Sequence, residues 1–179
     1  MDITKQLSSQ VGDNTEEANK KIVEQCLKNP SILKKIAKEL ENKDVALVSD
    51  CAEVFTKVAE IKPEFVTPYA KTLVPLLDHK NTRASWEATH ALALIANLVP
   101  DLIASILSQF HRMSLSDGST IVRDYSVIAV SNYAKSSKKA AEESLPVLKR
   151  VLEIWNEKQA ARALKGLQNA AGVNSNLKS

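Results

Sequence analysis

Histidine and cysteine, frequent catalytic residues and metal ligands, number only three and two in this sequence. Trp86, His90 and Asp124 fall on predicted helices and form the one combination suited to general acid-base chemistry or to stacking on a base. His79 and His111 lie on other predicted helices or turns, without a Cys or acidic residue at metal-ligand spacing. There is no glycine-rich phosphate loop, nucleophile elbow or paired-histidine helix motif. We therefore expect no metal, no cofactor and no enzyme activity.

The two cysteines indicate a reduced protein. Cys26 and Cys51 fall on the apolar faces of predicted helices, with no other Cys or His at ligand spacing. Disulfides are rare in cytosolic proteins. The sequence also contains neither a signal peptide nor an apolar run of membrane-spanning length. We expect a cytoplasmic protein with buried thiols and no membrane partner.

Charge gives little reason to expect a nucleic-acid partner. The formal net charge is only +3, from 24 basic and 21 acidic residues. Residues 1–90 contain 13 basic and 14 acidic residues, a net charge of −1, whereas residues 91–179 contain 11 and 7, a net charge of +4. The small basic excess therefore belongs to the C-terminal half.

The elements that must position the polar residues repeat along the chain. Residues 63–100 contain two stretches with helical spacing of apolar residues, joined by a short polar turn. A shift of 37 positions places Pro63 on Pro100 without a gap, and a shift of 38 places Ala91 on Ala129. Repeats of this length built from paired helices are typical of an α-solenoid. Only 4 % of residues are aromatic and four are glycine, which also favours an all-α fold.

The repeat register predicts one all-α domain over residues 1–171, followed by a flexible tail at 172–179. We expect the final helix to run from Ala160 to Ala171, with Gly172 as its stop. The expected parts of the domain are an N-terminal capping helix or pair at 1–29 and repeat units at about 30–60, 63–97, 100–135 and 138–171.

The N-terminal cap begins with a weak amphipathic segment, which predicts a short or frayed first helix. The next helix is expected to start at Asn14 to Glu17, where a capping residue is followed three positions later by Glu. These features predict a capping box.

Several stretches resemble HEAT repeats. Leu73 to Asp78, with its mid-helix proline and terminal Asp, resembles the first helix of such a repeat, and Ser144 to Leu148 is similar. Asp117 to Arg123 resembles the turn and Val-Arg entry into the second helix. The resemblance covers roughly residues 30–171 and implies a right-handed α-solenoid of the HEAT/armadillo-like kind with about four helical hairpins. This fold hosts many functions, so the resemblance supports the fold and leaves the function open.

The resemblance also implies which side chains stand together. Asp and Arg residues of the family are expected to form a ladder between adjacent turns, and Arg83 and Arg162 resemble weaker versions of that Arg. The second helix of each repeat would line a concave face. The residues placed there as partner-binding candidates are Asp50, Glu53, Lys57, Trp86, Glu87, His90, Asp124, Asn132 and Lys135.

This candidate face mixes acidic, polar and apolar groups, so it suits a protein or peptide better than a phosphate backbone. We expect a non-catalytic recognition or scaffold module that is monomeric or weakly dimeric. Its partner would carry Lys or Arg beside an apolar residue, with Trp86 as the binding hot spot.

Two alternatives involve nucleic acid. The first is binding through basic residues of the C-terminal half, although glutamates are interleaved with them. These basic residues are Lys135, Lys138, Lys139, Lys149, Arg150, Arg162 and Lys165. The second is an enzyme, because a Trp and an Asp in one cleft resemble HEAT-like alkylpurine DNA glycosylases. That family has longer arrays and basic clefts, and Trp155 here lies near a turn.

Overall fold

The described part of the chain is all-helical, as the composition predicts. The computed structural model describes residues 2–155 and 157–175, and no β-strand occurs within these ranges. The α-helices are α1 (Ser8–Val11), α2 (Glu17–Lys28), α3 (Leu33–Lys38), α4 (Val45–Ile61), α5 (Pro63–Val66), α6 (Ala70–Leu73), α7 (Thr82–Ile95), α8 (Pro100–Ser105), α9 (Leu107–Ser116), α10 (Thr120–Tyr133), α11 (Lys138–Ile154) and α12 (Glu157–Val173). Short 3-10 segments lie at Ile3–Gln6, Pro30–Ile32, Glu39–Glu41, Thr67–Tyr69 and Val74–Asp78.

Within residues 2–155 and 157–175, four helical hairpins follow the N-terminal segment, residues 2–29, and their second helices are α4, α7, α10 and α12. The first helix of the second hairpin is broken into short pieces. Pro63, Pro68 and Pro75 each lie in the first turn of one of these pieces. A proline has no amide hydrogen and its ring clashes with the preceding turn, so each one interrupts regular helix.

Polar turns fix where the second helices begin. The Asp44 carboxylate accepts hydrogen bonds from the amides of Ala46 and Leu47, at 3.0 and 3.2 Å, and so caps α4. Ser119 caps α10 by accepting from the amide of Val122. Caps of this kind typically contribute about 1 kcal/mol each.

The start of α2 differs from the sequence prediction. The N-cap residue is Glu16, and its side chain makes no capping hydrogen bond. Asp13 accepts from the amide of Ala18 at 2.8 Å instead. Glu16 has a φ of 64°, in the left-handed region that few residues other than glycine adopt. The capping box expected at Asn14 to Glu17 is therefore wrong.

The chain forms two compact units, residues 1–91 and residues 92–179, and the division falls within α7. In the N-terminal unit, Phe55 is fully buried and lies against Tyr69, with 5.4 Å between the ring centroids. In the C-terminal unit, Phe110 is fully buried. Burying a side chain of this size contributes about 1.5–3 kcal/mol, so each unit has its own core.

Gly166 allows α12 to approach α10 closely. A Cβ added at Gly166 would lie 2.4 Å from Ser131 Oγ and 2.9 Å from both terminal methyl carbons of Leu148. These distances are shorter than van der Waals contact, so a larger residue would force a shift in the packing.

The last helix is longer than the sequence predicts. It begins at Glu157 and continues to Val173, so Gly172 lies inside the helix and does not stop it. Asn174 is buried, and its Nδ2 donates to Glu142 Oε1 at 2.8 Å. This contact joins the end of α12 to α11. Residues 176–179 of the expected tail lie outside the described residues.

Candidate functional site

Arg83 of α7 binds two buried carboxylates of α4. Its Nη1 donates to Asp50 Oδ1 at 2.9 Å, and its Nη2 donates to Glu53 Oε2 at 2.6 Å. Asp50 is 1 % exposed and Glu53 is 5 % exposed. A guanidinium carries several donors in one plane, which suits it to bridge two carboxylates. Arg83 therefore links neighbouring second helices by charge.

The N-terminal segment completes this cluster. The amide of Ser9 donates to Asp50 Oδ2 at 2.7 Å, and Asn19 Nδ2 donates to Glu53 Oε2 at 2.8 Å. The two carboxylates, which the sequence places on the binding face, are thus covered and directed toward internal partners.

Burial and a third carboxylate, that of Glu16, both affect the pKa of Glu53. Glu16 Oε1 accepts from Arg83 Nη2 at 3.3 Å, so three carboxylates surround one guanidinium. Burial raises the pKa of Glu53, and the charges of Glu16 and Glu87 act in the same direction. Hydrogen bonding to Asn19 and the charge of Arg83 oppose this rise. Asn19 and Arg83 therefore both favour the charged form of Glu53, against the effect of burial.

Four other candidate residues lie together at the surface of the N-terminal unit. We call this group the N-terminal face; it consists of Lys57, Trp86, Glu87 and His90. Trp86 is half-buried, and its Nε1 donates to Glu87 Oε1 at 2.9 Å. The hydroxyl of Thr56 donates to the main-chain oxygen of Glu87 at 2.8 Å and fixes α4 against α7. The indole ring thus lies partly exposed, with its Nε1 hydrogen-bonded to a carboxylate.

His90 is a half-buried member of this face. Burial lowers the pKa of His90 to about 4; the charge of Lys57 acts in the same direction and the charge of Glu60 opposes it. The imidazole is therefore neutral near pH 7, with one nitrogen as a donor and the other as an acceptor.

The C-terminal unit repeats the arrangement around Arg83. Arg162 of α12 pairs with Asp124 of α10, which is 4 % exposed. In both units an Arg on one second helix binds a buried carboxylate on the preceding second helix. The ladder implied by the resemblance thus involves Arg83 and Arg162, but it joins second helices where the resemblance placed it between turns.

The last two candidate residues, Asn132 and Lys135, line a cavity of about 320 Å³ in the C-terminal unit. Asn132 Nδ2 donates to the main-chain oxygen of Ala93 at 2.9 Å, and Lys135 Nζ donates to Asn132 Oδ1 at 2.9 Å. Asn169 Nδ2 donates to the main-chain oxygen of Ser131 at 3.3 Å. We call this cavity the C-terminal pocket; its lining is Ile128, Ser131, Asn132, Lys135, Arg162, Lys165 and Asn169.

Three pocket residues, Lys135, Arg162 and Lys165, are among the basic residues that the sequence offers for nucleic-acid binding, whereas Asn169 is not among the candidates. The repeat pattern indicates Asn169 and Lys165 as residues of the same face, because a shift of 37 positions places Asn132 on Asn169 and Ile128 on Lys165.

Two other residues with possible chemistry, Arg123 and His79, have structural partners. The guanidinium of Arg123 lies 4.5 Å from the ring centroid of Trp155, a cation-π contact. His79 Nδ1 accepts from the amide of Asn81 at 3.1 Å. Within residues 2–155 and 157–175, no group of three or more His, Cys, Asp or Glu residues is arranged to hold a metal ion. Over the same ranges, no helix has the length and apolarity needed to span a bilayer.

The fold matches solved structures, whereas no protein-family model and no curated protein matches the sequence. A designed armadillo repeat protein in complex with the peptide (KR)4 has 21 % identity and a TM-score of 0.79, over 98 % of this chain and 83 % of its own. Computationally designed armadillo repeat proteins for modular peptide recognition have 23 % identity and a TM-score of 0.75, over 98 % of this chain and 84 % of their own. A further designed armadillo repeat protein has 22 % identity and a TM-score of 0.72, over 94 % of this chain and 75 % of its own. The chain is an armadillo/HEAT-like helical-repeat solenoid.

Proposed function

We propose that this chain is a non-catalytic recognition module that binds a segment of another protein on the surface of its second helices. The observation that carries the proposal is the half-buried Trp86 on α7, held by its hydrogen bond to Glu87. Tryptophan residues dominate the binding energy of many protein interfaces. A ring already fixed in one orientation also loses little side-chain entropy when a partner binds.

The candidate residues divide into two roles. Those at the surface would contact the partner: Lys57, Trp86, Glu87 and His90 in the N-terminal unit, and Asn132 and Lys135 in the C-terminal unit. The buried carboxylates would act as positioning residues, with Asp50 and Glu53 holding Arg83 and Asp124 holding Arg162.

The solved neighbours support a peptide as the partner. One was solved with the peptide (KR)4, and others were designed for modular peptide recognition. In this chain we expect Trp86 to contact an apolar or cationic side chain of the partner, with Glu87 as the nearest carboxylate. We expect the module to work in the cytoplasm, because Cys26 and Cys51 are free, buried thiols typical of a reducing compartment.

Selection of peptides from a display library on the whole chain tests the proposal. Peptides that bind the wild type should bind Trp86→Ala about 30-fold more weakly, the change that corresponds to roughly 2 kcal/mol for a hot spot. Trp155→Ala is the matched control, because it removes an equal ring outside the N-terminal face. Circular dichroism should show that both variants remain folded. Equal affinity for Trp86→Ala, or failure to select any peptide, would contradict the proposal.

A further inference from the structure

The C-terminal pocket carries positive charge that the protein does not balance. Arg162 is matched by Asp124. Lys135 and Lys165 also line the pocket, and neither forms an ion pair with any residue that the structure describes. The lysine of the N-terminal face, by contrast, lies 3.1 Å from the carboxylate of Glu60. Two exposed lysines that form no ion pair with a described residue therefore line one cavity.

The uncharged groups of the pocket direct their donors into the protein. The side-chain amides of Asn132 and Asn169 donate to main-chain oxygens, and the hydroxyl of Ser131 donates to the main-chain oxygen of Arg162 at 3.4 Å. Asn132 Oδ1 accepts from Lys135 and holds its ammonium group beside the cavity. The ammonium groups are left to meet a ligand, and a ligand that accepts hydrogen bonds and carries negative charge complements them.

We infer that the C-terminal pocket binds an Asp or Glu side chain of the partner segment. The inference rests on the proposed function and adds the chemistry of the partner to it. A charge-assisted hydrogen bond from each lysine would hold the carboxylate, and Ile128 offers an apolar wall for the methylene groups beside it. The C-terminal unit thus prefers a peptide of opposite charge to the (KR)4 peptide bound by one solved neighbour.

A carboxylate fits this pocket better than a nucleic-acid backbone. A strand of nucleic acid presents a phosphate at every nucleotide, and its affinity comes from neutralising many of them along a groove. The pocket offers two uncompensated cations.

Fluorescence anisotropy with three labelled peptides of equal length, (EA)4, (QA)4 and (KA)4, tests the inference on the whole chain. At about 50 mM salt, where surface charges are weakly screened, (EA)4 should bind at least about tenfold more tightly than (QA)4, and (KA)4 most weakly. The double variant Lys135→Gln with Lys165→Gln should lose this preference. The matched control is Lys138→Gln with Lys149→Gln, which removes the same charge from exposed sites outside the pocket and should keep it.

Three results would overturn the inference. They are equal binding of (EA)4 and (QA)4, an equal loss in the control double variant, and tighter binding of a short oligothymidylate with the same dependence on Lys135 and Lys165. If library-selected peptides bind Trp86 while (EA)4 does not bind, only this inference fails. If neither the selected peptides nor (EA)4 bind, the proposed function fails with it.

Discussion

Substitution of Arg83 should destabilise the fold more than substitution of an exposed arginine. Arg83→Gln would leave Asp50 and Glu53, 1 % and 5 % exposed, without the guanidinium that now lies 2.9 and 2.6 Å from them. Removing one partner of a buried ion pair costs about 3–5 kcal/mol, because an uncompensated charge stays buried. The Arg83 side chain is 30 % exposed, so water can reach part of the vacated space. We therefore expect the free energy of unfolding to fall by about 3 kcal/mol.

The loss should depend on pH through Glu53. Without Arg83, the pKa of Glu53 in the folded state rises further above its value in the unfolded chain. The folded variant then binds a proton that the unfolded chain has released, so it regains stability as the pH falls through the raised pKa. The difference in free energy of unfolding between Arg83→Gln and the wild type should be larger at about pH 8 than at about pH 5.

Urea denaturation followed by circular dichroism measures both effects. The control is Arg150→Gln, because Arg150 and its partner Glu153 have side chains that are 56 % and 61 % exposed. An exposed pair contributes about 0.2–1 kcal/mol. Adding Asp50→Asn and Glu53→Gln to Arg83→Gln should recover at least half of the loss, because no buried charge is then left alone. A loss no larger than that of the control, or a triple variant as unstable as Arg83→Gln, would refute this reasoning.

Three further predictions concern other parts of the chain. Burial lowers the pKa of His90 to about 4 from an ordinary 6.5, so the unfolded chain takes up a proton there before the folded protein does. Between about pH 8 and pH 5 the free energy of unfolding of the wild type should therefore fall by about 2 kcal/mol more than that of His90→Gln. Urea denaturation curves of the wild type and His90→Gln with the same pH dependence would contradict this prediction. Gly166→Ala should lower the Tm, because overpacking of about 1–3 kcal/mol outweighs the helix-propensity gain of about 1. Gly172→Ala should not lower the Tm, because an added Cβ there would meet no heavy atom within 4 Å. A higher Tm for Gly166→Ala would contradict the close approach of α12 to α10. Burial raises the pKa of both thiols, that of Cys26 to about 12, so Cys26 and Cys51 should react with a thiol reagent only after denaturation. Rapid labelling of the folded protein would contradict their burial.

The helical hairpins could be predicted from the sequence because local patterns determine them. A shift of 37 places Phe55 on Leu92, and both side chains are fully buried. Prolines and polar turns mark the ends of the helices, since their backbone chemistry acts over only a few residues. The contact of Asn174 with Glu142 of α11, just beyond the end of α12, could not be predicted because it joins residues distant in sequence.

The candidate site was less predictable because burial depends on contacts distant in sequence. Asp50 and Glu53 lie on a second helix as predicted, yet the N-terminal segment covers them through Ser9 and Asn19. The course of that segment includes the left-handed backbone of Glu16, which no sequence pattern indicated. Helical spacing places a carboxylate on a face but does not reveal which residue will pair with it.

The most direct test of the central claim is a titration of the protein with a library-selected peptide, followed by amide and indole chemical shifts in NMR spectra. Binding on the second helices predicts shifts at the Trp86 Nε1 group, where the partner would disturb its hydrogen bond to Glu87. It also predicts shifts at the side-chain amides of Asn132 and Asn169 in the C-terminal pocket when the peptide carries a carboxylate. Shifts confined to the first helices of the hairpins, with the Trp86 indole signal unchanged at saturation, would contradict the claim.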